Sequence, residues 1–167
     1  MTEEVHSFFN NPTNYLHREY GVRIRAELVR QLVGDLQFHD VLDVGCGDGG
    51  VSLQFLDKNR VVFCDIAEKM LDLVKDRIPP NLMTSATFFH GSIEEFQSNK
   101  LFDVILCVGV LAHVPSVERT ISKLAGLLAP GGRLVLQFSD ANHWLTRLSI
   151  RNATYDYRVN KLIYHEV

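Results

Sequence analysis

Apolar positions in this chain alternate between two patterns. Short, mainly apolar stretches occur at VLDV (41–44), VVFC (61–64), ATFFH (86–90), FDVILCVGV (102–110) and RLVLQF (133–138) and predict five strands, those at 41–44 and 61–64 of the kind buried in the middle of a sheet. Between them apolar residues recur at helical spacing. Ile24, Leu28 and Leu32 lie at i, i+4 and i+8 with Val29 and Val33 beside them, in a helix predicted from Glu19 to Val33 and ended by Gly34 and Asp35. Val51, Phe55 and Leu56 predict a second helix. Met70, Leu71, Val74 and Ile78 predict a third, stopped by Pro79 and Pro80, and Val117, Ile121, Leu124, Leu127 and Leu128 a fourth. Ala129-Pro130-Gly131-Gly132 reads as a turn before the fifth strand. Strands alternating with helices make an α/β chain, a doubly wound, mainly parallel sheet with right-handed crossovers and helices on both faces.

At 167 residues the length suits one domain. We divide the chain into an N-terminal helical lid segment (1–36), an α/β domain (37–140) and a helical, polar tail (141–167). A net charge of −3 gives no nucleic-acid footprint, and no apolar run has the length of a membrane span. Cys46, Cys64 and Cys107 lack metal-ligand spacing, so no metal is expected. An odd number of free thiols favours a reducing, cytoplasmic setting.

The chemistry gathers where the strands end. VLDVGCGDGG (41–50) is a strand running into glycines at 45, 47 and 49, a turn that lets backbone approach a nucleotide-like ligand. Asp43 lies inside that strand, to hold the turn or to meet a cationic group. Asp65 closes the second strand 20 residues after Gly45, the separation at which a carboxylate meets ribose hydroxyls; its alternative is an N-cap for the helix from Ala67. Ser92, after the sharp exit at Gly91, is likewise a ligand contact or the cap of a short helical turn. The arginines at 18, 23, 25 and 30 form a solvated helix face, from which one can reach the carboxylate of a bound amino acid.

Asp43, Gly45, Gly47 and Gly49 match the first motif of the class I S-adenosylmethionine-dependent methyltransferases, acid-x-Gly-x-Gly-x-Gly. Gly45, Gly47 and Gly50 also fit the dinucleotide fingerprint. FDVIL, the loop containing His113 and LAPGGRLVL then resemble the later landmarks of the family's small-molecule branch, in spacing and order. The resemblance implies a Rossmann-like sheet of order 3-2-1-4-5 and S-adenosyl-L-methionine as cofactor. It implies ribose on Asp65, adenine between Ile66 and Ile93 with its amino group near Ser92, and the methionine end by Gly45, Cys46, Gly47, Gly49 and the exit of strand four at Cys107 and Val108. The backbone carbonyl of Cys107 is the candidate for the ammonium.

The implied activity is methyl transfer to an O, N or C nucleophile of a small molecule by in-line displacement, in which alignment supplies most of the acceleration. His113 is the candidate base if the acceptor must lose a proton; its alternative is a loop-packing residue. An NAD-dependent oxidoreductase and a non-catalytic cofactor-binding scaffold are the competing readings. The family's C-terminal antiparallel strand pair has no counterpart in the pattern. Leu134, Leu136 and Phe138 are therefore expected on an uncovered edge strand, which a homodimer partner or a further C-terminal segment would cover.

Overall fold

The computed structural model describes residues 7–10, 19–140 and 142–143. Helix α1 (Glu19–Val33) precedes β1 (Asp40–Val44), β2 (Arg60–Asp65), α2 (Glu68–Arg77), β3 (Ala86–His90), β4 (Phe102–Val108), α3 (Val117–Leu127) and β5 (Leu128–Gln137). The five strands form one sheet of order β3-β2-β1-β4-β5 with every pairing parallel, as expected. Val41, Phe63, Leu106 and Val135 belong to one core layer with α1 and α2, and Leu42, Cys64, Ile105 and Cys107 to the other with α3. The period-2 geometry of a strand sends successive side chains into these two layers.

Several expectations need correction. In α1 the buried residues are Val29 and Val33, whereas Ile24, Leu28 and Leu32 are 42%, 51% and 60% exposed. The helix is held from β5: Arg133 Nη1 donates to the carbonyls of Leu32 and Val33, which turns the valine face inward. The expected helix after the glycine turn is only a 3₁₀ turn, Leu53–Phe55. Residues 51–59 must both leave the turn and return to β2, which leaves no room for more, although Phe55 and Leu56 are buried as anticipated.

The turn at 129–132 lies inside β5 rather than before it. Phe102 faces Leu128 and Val104 faces Arg133, so two steps on β4 are met by five on β5 and the extra residues bulge. A Cβ at Gly132 would lie 2.8 Å from the carbonyl oxygen of Asp103, so only glycine lets the bulge hug β4. Strand β4 ends at Val108, two residues earlier than expected, because Gly109 turns out of the sheet with φ 77°.

Leu134, Leu136 and Phe138 are half-buried against the α3 layer rather than uncovered. Among the described residues, the outer backbone edge of β5 carries no strand. The expected tail elements (Trp144, Leu145, Leu148 and LIYHEV) lie outside the described residues.

Candidate functional site

The register aligns the strand ends: Val44 is level with Cys64 and Cys107, Asp65 with His90, and Val108 with Gln137. A cleft of about 1050 Å³, its open mouth included, lies at this carboxyl edge.

The glycine turn forms its floor. Gly45 and Cys46 both donate their amides to the Cys64 carbonyl, at 2.8 and 3.1 Å, tying the turn to β2. Gly45 has φ 67°, and a Cβ there would come within 2.3 Å of Val110, which lines the cleft. No other residue satisfies both demands. From outside, Arg77 Nη1 donates to the Asp48 carbonyl and to its carboxylate, each at 2.7 Å.

Asp65 sits beside this floor, 6% exposed. Its Oδ2 accepts from the Gly47 amide at 2.8 Å and its Oδ1 from the Ala67 amide at 2.9 Å. The second bond is the helix-entry role weighed for this residue, and the first braces the glycine turn. Burial raises its pKa against the pull of those amides. Each oxygen retains acceptor capacity for a ligand hydroxyl.

Ile66, Met70, Ser92 and Ile93 wall the same end of the cleft. The opposing wall is built by Val108, Gly109, Val110 and His113, with Phe8, Phe9 and Arg25 from the N-terminal segments. His113 lies on the 3₁₀ turn Leu111–His113, its ring edge-to-face with Phe9 at 5.1 Å between centroids. Burial lowers its pKa, so the ring is neutral at neutral pH. Arg25 is half-buried, and among the described residues its side chain makes no hydrogen bond or ion pair.

Four candidates from the sequence do not line the cleft: Asp43, Cys46, Gly49 and Cys107. Cys107 is fully buried and its thiol is pushed up to about 12 by burial; Cys46 is shifted the same way. Asp43 points into the α1–α2 layer, 3% exposed, and its Oδ2 has no hydrogen-bond partner among the described residues. Burial raises its pKa to about 7 against the pull of the neighbouring Ser52 hydroxyl, with a smaller push from the Asp65 charge.

A family model described as "Methyltransferase domain" matches residues 41–132, more than half the chain, from β1 to the bulge in β5. The chain belongs to the methyltransferase-domain family. Two relatives are ubiquinone biosynthesis O-methyltransferases. That of Rickettsia felis is 27% identical over 78% of this chain and 55% of its own length. That of Coxiella burnetii is 30% identical over 79% and 56%. The chain thus spans about half the length of the curated relatives it matches. A solved Thermotoga maritima protein, described as a SAM-dependent methyltransferase and possible histamine N-methyltransferase, has the same fold. It aligns with a TM-score of 0.73 and 21% identity over 97% of this chain and 76% of its own.

The methyltransferase domain also brings to the cleft residues that were not candidates. Met70 read as part of the apolar face of α2, Val44 and Cys64 as strand core, and all three reach the cleft as well. Phe8 and Phe9 read only as lid aromatics, and Arg25 as one of four helix arginines. Gly109 and Val110 carried no separate signal.

Proposed function

We propose that the chain is the cofactor-binding part of an S-adenosylmethionine-dependent methyltransferase acting on a hydroxyl of a small molecule. The observation that carries this reading is the presence, in one cleft, of the Asp65 carboxylate and of the Arg25 guanidinium, which has no partner among the described residues. A ligand with a vicinal diol at one end and a carboxylate at the other meets both needs. The rest of the cleft fits the same molecule: Ile66, Met70 and Ile93 suit a flat apolar ring, and the floor at Gly45 leaves no space for a Cβ. Asp65 would hold the ribose, Ile66 and Ile93 the adenine with Ser92 at its edge, and Gly45, Gly47 and Val108 the methionine end. Arg25 would take the carboxylate as a charge-assisted bond. Asp43, Cys46, Gly49 and Cys107 support the turn from behind, Asp43 adding charge through the layer that separates it from the ligand. We retain the Cys107 backbone carbonyl as the candidate for the ammonium.

Bound there, the cofactor supplies a methyl group already activated on a sulfonium. The protein then has to orient the acceptor in line with it and exclude water. His113, edge-to-face with Phe9 in the wall of the cleft, would take the acceptor's proton in its neutral form. A base of this kind suits a hydroxyl acceptor, in line with the O-methyltransferase names of the Rickettsia and Coxiella relatives. The three unpaired thiols fit a reducing cytoplasm. A second copy or a further segment along β5 is the partner we propose for that edge.

Calorimetric titration with S-adenosylhomocysteine and with NAD tests the cofactor, and labelled methyl transfer into a metabolite extract tests the activity. Arg25→Ala is expected to weaken S-adenosylhomocysteine roughly 10- to 100-fold, the worth of a charged hydrogen bond. NAD binding without any response to S-adenosylhomocysteine would overturn the reading.

A further inference from the structure

The turn after β3 holds an acid one step removed from the cleft. Ser92 lines the cleft and directs both of its donors at a single oxygen. Its amide and its hydroxyl each lie 2.8 Å from Glu95 Oε2. These two contacts hold the Glu95 carboxyl below its usual range, so at neutral pH it is ionised. A carboxylate has no proton to give, and the hydrogen between the two oxygens therefore belongs to Ser92. With that proton committed, only the lone pairs of the Ser92 hydroxyl remain for a ligand. Nearby, Glu94 accepts from Thr120 Oγ1 at 3.0 Å, and the His90 ring is 3.0 Å from the Ile66 carbonyl and adds its electrostatic pull on Glu95.

We propose that Glu95 is a positioning residue for base recognition, which fixes the Ser92 hydroxyl as an acceptor and so makes the cleft select a 6-amino purine over a 6-oxo purine. The inference rests on the cofactor reading above, which sets the purine beside Ser92 and Ile93. An amino group donates to the waiting lone pair. A ring carbonyl would set two acceptors against each other, with no proton between them.

The test is calorimetric titration of S-adenosylhomocysteine and its 6-oxo counterpart, S-inosylhomocysteine, into the wild type, Glu95→Ala, Glu95→Gln and Ser92→Ala. The wild type is expected to prefer the amino ligand by roughly 10- to 100-fold. Glu95→Ala frees the hydroxyl to rotate and donate to the 6-oxo group, so the preference collapses to within about threefold, whatever loss both ligands share. Glu95→Gln, whose amide oxygen accepts the same two bonds, restores it. If Glu95 merely braced the turn, its removal would weaken both ligands alike and leave their ratio at the wild-type value; that result overturns the proposal. Unchanged affinities for both ligands in Ser92→Ala would overturn it by removing the base from Ser92. Failure of the wild type to bind either ligand would remove the cofactor reading and this proposal together.

Discussion

Replacing Asp43 with Asn should stabilise the protein at pH 8 and destabilise it near pH 4. Asp43 is 3% exposed, one of its oxygens lacks a partner, and burial raises its pKa to about 7. Its titratable neighbours, Asp65, Cys46, Cys64 and Cys107, offer no positive charge. An unfolded aspartate titrates near ~3.9, so the chain's two states differ by roughly three pKa units, on the order of 4 kcal/mol. The sign follows from proton counting. The unfolded state releases its proton near pH 4 and the folded state near pH 7, so between these values the folded state holds more protons. Stability therefore falls as pH rises through that window, and the full penalty is present above pH 7. An amide carries no such penalty, but its NH₂ group needs a partner here, at a cost of about 1–3 kcal/mol. The net gain at pH 8 should be about 1–3 kcal/mol. Urea unfolding followed by circular dichroism from pH 4 to 8 measures it, as the difference between variant and wild type. Taking the difference cancels most of the other titrating groups. A difference that does not change with pH would refute the assignment of a buried, unpaired carboxylate.

Asp65→Ala should weaken S-adenosylhomocysteine about 10- to 150-fold by calorimetry, through loss of hydrogen bonds to a charged acceptor. Because Asp65 also braces Gly47 and Ala67, the variant should show faster amide exchange at those two residues. His113→Gln should lower kcat far more than it raises KM, and the acid limb of the wild-type pH–rate profile should fall below the ordinary histidine range, since burial lowers this pKa and the base acts neutral. In α1, Leu28→Ser should shift stability by no more than about 0.5 kcal/mol, whereas Val29→Ala should cost about 1–3 kcal/mol; chemical denaturation separates the two.

The central strands β1, β2 and β4 were legible because they lie buried on two faces, which favours a nearly continuous apolar run, and the edge strands β3 and β5 because a shorter apolar stretch sits between turn residues. Their order was legible only through the family landmarks, since periodicity says nothing about which strand lies beside which. The bulge in β5 escaped for a different reason. Ala129-Pro130-Gly131-Gly132 has the composition of a turn, and only the 2.8 Å approach of a Cβ at Gly132 to the Asp103 carbonyl oxygen reveals that the chain stays against β4. The site divides along the same line. Asp65, Ser92 and Ile93 lie just where strands end, and the strand ends form the cleft. Asp43 belongs to the same motif, yet strand alternation carries its side chain into the packed layer beside Val41.

Helix α1 shows what one further step of sequence reading would have reached. Its apolar residues form two stripes, Ile24-Leu28-Leu32 and Val29-Val33, and composition alone favours the first. Packing over β5, fixed by the bonds from Arg133 to Leu32 and Val33, selects the second. Extending that second stripe back by one turn leads from Val33 and Val29 to position 25. An arginine there stands in line with buried valines, at the end of the helix that reaches the cleft. Arg30, by contrast, pairs with Glu27 on the outer face. A charge on a packed stripe needs a partner, and none of the described residues supplies one to Arg25. The partner we propose is the ligand, whose carboxylate would complete the contact that the described residues leave open at Arg25.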